Sequence, residues 1–222
     1  MKTMLLAIDT STKFSGIALF DGEKILAEEN WFSRESHTLQ LMPRIVRMME
    51  TQGLKPADLK AIGVALGPGS FTGLRIGMAV AKGLALSLKI DLVGVPTLDF
   101  LAYPLSYQPL PVWSVLEAGR GRIYTAGYKR VGKRWKRLTE YMALAWEELP
   151  SRVQNGSFIF CGEIDQYGRD FIEEVFGKRA KVADPAFSLR RAGFLAQMAY
   201  QLWLSSHKDD PASLSPIYLK GI

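Results

Sequence analysis

The residues best suited to chemistry form a short polar turn near the start of the sequence. Asp9-Thr10-Ser11-Thr12 follows an apolar run of strand length and precedes a second apolar run that contains Gly16. Backbone N–H groups and hydroxyls in such a turn can hold a phosphate, while the carboxylate of Asp9 holds a metal or a water. The same residue types also form ordinary Asx and Ser/Thr turns. The residues alone leave both interpretations open.

A glycine-rich turn at residues 67–73 (GPGSFTG) is the second candidate. It lies between a predicted strand and a predicted helix, and the N-terminus of a helix attracts anions. The spacing does not fit a Walker A loop, and G-x-G-x-x-x-G is one residue too long for the dinucleotide fingerprint. Gly69 and Ser70 are therefore candidate phosphate contacts. The alternative is a tight turn in which Ser70 caps the helix.

The sequence predicts neither a metal site nor a catalytic residue. His37 is one of two histidines, and the residue one helical turn further on is Leu41, so the H-x-x-x-H spacing of helical metal ligands is missing. Cys161 is the sole cysteine and has no Cys or His neighbour in a zinc-binding pattern. No Ser-His-Asp or Cys-His arrangement is supported by spacing.

Positive charge is concentrated in residues 120–137. This segment holds eight lysines and arginines and no acid, so it contributes +8 to a net charge of +6. Tyr124, Tyr128 and Trp135 lie among these bases. Such a segment can bind nucleic acid by neutralising phosphates. It can equally be a solvated β-hairpin that turns at Gly132.

The elements that would position these residues can be read from hydrophobic periodicity. The chain is predicted to open with a three-stranded antiparallel meander, followed by helices at 36–52 and 71–88. Both helices are apolar over more of their circumference than one sheet can cover, which predicts a second contact. We predict an intermolecular helical interface with a homologous chain, formed by Leu39, Met42, Val46, Met49, Gly77 and Ala81.

Two domains are predicted, because the pattern of elements restarts after residues 107–111 (YQPLP). The boundaries are 1–106 for an N-terminal lobe and 107–222 for a C-terminal lobe, in which a long helix at 188–206 comes last. The second half repeats the order meander, helix, strand, helix without sequence identity.

Composition indicates a cytoplasmic protein with an ordinary globular core. Of the 222 residues, 48% are hydrophobic and 23% charged, which excludes long disordered stretches. Asp9 interrupts the first apolar run too early for a secretory signal. The apolar stretch at 71–88 carries Arg75, Lys82 and three glycines, so no membrane span is expected.

Three of these segments together resemble the TsaB (YeaZ-like) family. They are residues 6–12 (LAIDTST), His37 with Leu41 and Pro43, and residues 67–77 (GPGSFTGLRIG), the last being highly specific. The likeness is strong over residues 1–105. Further on, Glu117 and Gly119 depart from the D-A-R of a family segment, and residues 216–220 resemble the family's P-x-Y-L-R with Lys220 for Arg.

The resemblance implies an α/β protein with the actin-like/sugar-kinase-like (ASKHA) fold, built as two similar lobes of mixed sheet plus helices. It also implies a role in bacterial threonylcarbamoyladenosine synthesis on tRNA. In that pathway a homologous TsaD-like subunit transfers a threonylcarbamoyl group to N6 of the adenosine beside the anticodon, and a TsaE-like protein supplies ATPase activity. A TsaB-like chain is the non-catalytic partner, with ATP and metal expected on the other subunits and no cofactor of its own.

Two function classes follow from these observations. The first is a catalytically silent dimerisation subunit that pairs with a TsaD-like chain, forms a homodimer when alone and contacts tRNA through the complex. The second is an actin-like-fold nucleotide-dependent enzyme or a metalloprotease-like hydrolase, which the Asp9 turn and the 67–73 turn would serve. A hydrolase needs an activated water or nucleophile, and the sequence offers neither.

Overall fold

The structure, a computed structural model, describes residues 3–33, 37–153 and 155–219. The chain divides into two units. The first comprises Met1–Thr97 with Arg191–Ile217, and the second comprises Leu98–Arg190 with Tyr218–Ile222. The predicted boundary at 106/107 is therefore wrong in position, and it is also wrong in assigning the last helix to the second lobe.

The first unit is a five-stranded sheet with helices on both faces. Its elements are β1 (Met4–Asp9), β2 (Phe14–Phe20), β3 (Ile25–Phe32), α1 (His37–Thr51), β4 (Leu59–Ala65), α2 (Phe71–Leu88), β5 (Asp91–Val95) and, after the second unit, α6 (Ala192–Leu204). The strand order is β3-β2-β1-β4-β5. The first three strands are antiparallel, as the predicted meander requires, whereas β4 and β5 run parallel to β1.

Alternation along the strands separates the two faces of this sheet. Leu6 and Ile8 of β1 and Ile62 and Val64 of β4 pack in one core with α1 and α2. Gly63 points to the opposite face, where a Cβ at this position would lie 2.7 Å from the Cβ of Ala199 in α6. The sheet is thus covered by α1 and α2 on one face and by α6 on the other.

Helix α6 belongs to the first unit because its buried face fits this sheet. Its small residues Ala192, Gly193, Ala196 and Ala199 are buried together with Leu195. Small side chains let the helix approach the strands closely. The helix predicted at 188–206 corresponds to α6, which begins later, at Ala192, because an extended segment separates it from the short helix α5 (Pro185–Ser188).

Helix α2 has the length and apolar composition of a membrane span, with a mean hydropathy of 1.3 over 18 residues. Leu74, Met78, Ala81 and Ala85 of this helix are buried in the chain. Met78, Ala81 and Ala85 pack with strand residues in the core of the first unit. One face of α2 is therefore part of the core of the first unit.

The second unit is built on a six-stranded sheet in the order β11-β10-β6-β7-β8, with β9 also paired to β7. Its elements are α3 (Thr97–Ala102), which begins one residue before this unit, β6 (Val112–Gly119), β7 (Arg122–Val131), β8 (Arg134–Arg137), β9 (Met142–Ala145), β10 (Phe158–Gly162), α4 (Gln166–Phe176), β11 (Ala180–Val182) and α5. Separate apolar clusters pack around Phe160 and around Tyr128.

Candidate functional site

The polar turn after β1 is closed by its own hydrogen bonds. The backbone N–H of Ser11 donates to Asp9 Oδ1 at 2.8 Å, and the Ser11 hydroxyl donates to the same oxygen at 2.5 Å. Thr12 Oγ1 accepts from the backbone N–H of Phe14 at 3.2 Å. These contacts form an Asx turn followed by a Ser/Thr turn. Asp9 is 1% exposed and Ser11 is 0% exposed.

The start of α2 lies directly against this turn. The hydroxyl of Thr10 donates to the backbone oxygen of Gly73 at 2.7 Å, and the backbone N–H of Ser70 donates to the backbone oxygen of Ser11 at 2.6 Å. A Cβ on Gly69 would lie 2.1 Å from the Ser11 backbone oxygen, and one on Gly73 would lie 2.1 Å from that of Thr10. Glycine is required at both positions because two backbone segments touch there.

The structure therefore brings together the five candidate phosphate residues Asp9, Thr10, Ser11, Gly69 and Ser70. They contact one another, and the turn they form holds the N-terminus of α2. Ser70 accepts from the backbone N–H of Gly73 at 3.3 Å and caps the helix, which confirms the capping interpretation. The hydroxyls that would face a phosphate are engaged within the chain, those of Thr10 and Ser70 with the backbone of Gly73 and that of Ser11 with the carboxylate of Asp9.

The remaining candidates from the sequence are His37, Cys161 and a possible metal site. The side chain of His37 lies outside the described residues. Cys161 is fully buried, and burial raises the pKa of its thiol to about 12, so it stays protonated at neutral pH. Across residues 3–33, 37–153 and 155–219, no three His, Cys, Asp or Glu side chains cluster in a way that could hold a metal ion.

The predicted interface residues fall into two groups. On α1, Leu39, Met42 and Val46 are 77%, 36% and 47% exposed, and their spacing of three and four residues places them on one face. We call these three residues the apolar face. Met49, Gly77 and Ala81 are buried in the first unit, so their predicted exposure at an interface is wrong. Helical spacing located the apolar residues without telling which side the sheet covers.

Helix α2 carries two rows of small residues, of which one is buried and the other is exposed. Gly77, Ala81 and Ala85 face inward, and a Cβ on Gly77 would lie 2.3 Å from Thr10 Oγ1. Ala79 and Gly83 are exposed on α2, which packs against α1. Close approach of a second helix would therefore use Ala79 and Gly83. The sequence contains this row, but its exposure depends on the orientation of the helix.

The basic segment forms a β-hairpin, as predicted, with its turn at Gly132. Lys129, Lys133, Arg134 and Lys136 are exposed. Arg137 differs from them because its guanidinium lies over the Tyr141 ring, 4.0 Å from the centroid. The second strand of the hairpin, β8, ends at Arg137, and β9 is followed directly by a short 3-10 helix (Trp146–Ser151).

A buried polar cluster fastens this hairpin to α3. The hydroxyls of Tyr128 and Tyr141 both donate to Asp99 Oδ1, at 2.7 and 2.8 Å. Burial raises the pKa of Asp99, while the two phenol hydrogen bonds and the charge of Arg137 act in the opposite direction. Sequence patterns gave no sign of this cluster, because Asp99 lies 29 and 42 residues from the two tyrosines.

The Asp99→Asn variant is expected to flatten the pH dependence of stability between about pH 4 and pH 7. A carboxyl whose pKa is raised by folding contributes fully below its unfolded pKa of about 3.9, and this contribution is lost as pH rises through the folded pKa. Asparagine still accepts both phenol hydrogen bonds but has no proton to release. The stability of the variant relative to wild type should therefore increase as pH rises above about 4.

Urea unfolding at a series of pH values measures this difference. Asp184→Asn is the matched control, because Asp184 is exposed and its side chain makes no helix-capping hydrogen bond. Parallel pH profiles for Asp99→Asn and wild type would show that the proton affinity of Asp99 is not changed by folding.

Solved structures place this geometry in a known class. A Pseudomonas aeruginosa structure described as an uncharacterized protein with similarity to peptidase YeaZ gives a TM-score of 0.81 at 24% identity, covering 98% of this chain and 100% of that one. Component A of (R)-2-hydroxyglutaryl-CoA dehydratase from Acidaminococcus fermentans gives 0.53 at 13% identity, covering 90% and 98%. The chain has an actin-like α/β fold, built as two units of mixed sheet plus helices, which confirms the predicted fold.

Sequence comparison narrows this class to a family. A protein-family model described as TsaD, tRNA N6-adenosine threonylcarbamoyltransferase, matches residues 31–202. The Bacillus subtilis (strain 168) protein named tRNA threonylcarbamoyladenosine biosynthesis protein TsaB is 30% identical over 221 residues, which are 97% of this chain and 93% of that protein. The chain belongs to the TsaB family, as its motifs indicated.

Proposed function

We propose that this chain is a non-catalytic dimerisation subunit in bacterial tRNA modification. The complex would transfer a threonylcarbamoyl group to N6 of the adenosine beside the anticodon, with a TsaD-like chain as the catalytic subunit and a TsaE-like ATPase as a further partner. Family membership carries the pathway, because the near full-length Bacillus subtilis relative is named for threonylcarbamoyladenosine biosynthesis. The proposed location is the cytoplasm.

The closed turn after β1 supports the non-catalytic role. Asp9, Thr10 and Ser11 are the residues that a phosphate-binding turn would use. Asp9 and Ser11 are hydrogen-bonded to each other, and Thr10 is hydrogen-bonded to the start of α2. Binding a nucleotide phosphate there would require α2 to move away from the turn. We therefore assign ATP and metal to the partner subunits.

The apolar face of α1 supports the dimerisation role. Leu39, Met42 and Val46 are exposed on a helix that is already packed on its own sheet through Leu41 and Ile45. Exposed apolar side chains grouped on one helix face are typical of a protein–protein contact. We propose that this face, with Ala79 and Gly83 of α2, packs against the corresponding helices of a TsaD-like chain, or of a second copy when the chain is alone.

Reconstitution tests the proposal. Threonylcarbamoyl transfer to an unmodified tRNA transcript is measured with the TsaD-like subunit, the TsaE-like protein and threonylcarbamoyl-AMP, with and without this chain. We expect modification only when the chain is present, and no heat of binding when the isolated chain is titrated with ATP and Mg²⁺. Micromolar ATP binding by the chain alone would instead support the alternative, a nucleotide-dependent enzyme of the actin-like fold.

A further inference from the structure

Three cations of the β7–β8 hairpin lie on one exposed face of the ribbon. Lys129 is opposite Lys136 and Val131 is opposite Arg134, and residues two apart on a strand share a face. We call Lys129, Arg134 and Lys136 the cationic face. Within the part of the chain that the structure describes, none of these three side chains has a carboxylate at ion-pair distance.

The pairing of Lys129 with Lys136 is unfavourable in the free protein. Directly opposed residues on antiparallel strands have Cβ atoms about 5 Å apart, and like charges at such positions destabilise the pair. Arg134 lies two residues from Lys136, which adds a third positive charge about 7 Å away along the strand. An anion bound between these side chains would remove the repulsion.

The opposite face of the hairpin packs against other residues of the second unit. The rings of Trp135 and Tyr128 stack at 5.9 Å with an interplanar angle of 8°, and Tyr128 is buried and bonded to Asp99. Arg137 lies over Tyr141 on this side. The hairpin therefore holds the cationic face in place before any ligand arrives, which lowers the entropy lost on binding.

We infer that the cationic face binds the phosphate backbone of RNA, an inference that rests on the proposed function in tRNA modification. Closely spaced cations without acidic partners match the closely spaced phosphates of a nucleic acid strand. One face of the Trp135 ring is already covered by Tyr128, so the hairpin offers charge rather than a stacking platform for bases. The contact would position tRNA without reading its sequence.

The test measures the affinity of a fluorescently labelled unmodified tRNA transcript for the full chain, alone and with the TsaD-like subunit, between 50 and about 300 mM salt. Lys129→Gln, Arg134→Gln and Lys136→Gln are combined in one variant. The matched control combines Lys24→Gln, Lys55→Gln and Lys178→Gln, three exposed lysines outside the hairpin. Both variants change the net charge from +6 to +3, because each loses three positive charges.

The hairpin variant should bind tRNA about 10- to 100-fold more weakly, and the slope of log K against log salt should become shallower by about 2. The control should keep the wild-type slope. Equal affinities and slopes for the two variants would overturn the inference, as would wild-type binding to anionic lipid vesicles with none to tRNA. If the wild-type chain failed to support modification in the reconstitution, the proposed function would be contradicted. The affinity of the isolated chain for tRNA would still decide the role of the hairpin.

Discussion

Met42→Glu combined with Val46→Glu is expected to abolish association with a TsaD-like subunit while leaving the fold intact. Both side chains are exposed on the apolar face, so the chain's own core does not change. A carboxylate pressed into an apolar contact loses its hydration without gaining a partner, which costs several kcal/mol. We expect the dissociation constant to increase at least ~100-fold, which is equivalent to a loss of about 2.7 kcal/mol in binding free energy.

Analytical ultracentrifugation of the variant, alone and mixed with the partner, measures this effect alongside a melting curve. Arg47→Glu is the control, because it also changes the net charge by −2 but lies about 100° further round the same helix. The control should associate like wild type. Full association of the double variant would show that the apolar face is not part of the interface. A lowered melting temperature would show instead that these residues support the core.

Gly73→Ala is expected to cause a large loss of stability in the first unit. Its Cβ would lie 2.1 Å from the backbone oxygen of Thr10, and a backbone oxygen cannot move aside as a flexible side chain can. Separating α2 from the turn after β1 would also strain the hydrogen bond from the Thr10 hydroxyl to Gly73. We expect the free energy of unfolding to fall by about 3 kcal/mol.

Gly83→Ala in the same helix provides the matched control. No atom lies within 4 Å of a Cβ at Gly83, so the substitution adds no clash and removes a poor helix former. It should raise the free energy of unfolding by up to about 1 kcal/mol. Chemical denaturation of both variants measures the contrast. Equal stabilities would show that the turn and α2 are not in the tight contact described.

Much of the first unit could be predicted from sequence because its signals are local. Apolar runs define the meander, and α2 has the predicted bounds. The interface prediction failed for Met49, Gly77 and Ala81 because helical periodicity does not tell which apolar side meets the sheet. That choice depends on the packing of Met78 and Ala81 against strand residues distant in sequence.

The closed state of the candidate phosphate site was beyond the sequence for the same reason. The residue types of Asp9, Thr10 and Ser11 suit both a ligand turn and a structural turn. What separates the two is the bond from Thr10 to Gly73, which joins positions 63 residues apart. The domain boundary failed likewise, because α6 follows the second unit in sequence but packs on the strands of the first.

The position of α6 has a consequence for how the chain acquires its structure during synthesis. Strands β1 to β5 leave the ribosome early, but α6, which covers one face of their sheet, emerges only after more than ninety further residues. At about 5–20 residues per second, that apolar face is uncovered for several seconds or longer. The main segment of the second unit, Leu98–Arg190, is synthesised within this interval. Nascent chains are therefore most exposed to aggregation and to chaperone capture in the interval before α6 emerges.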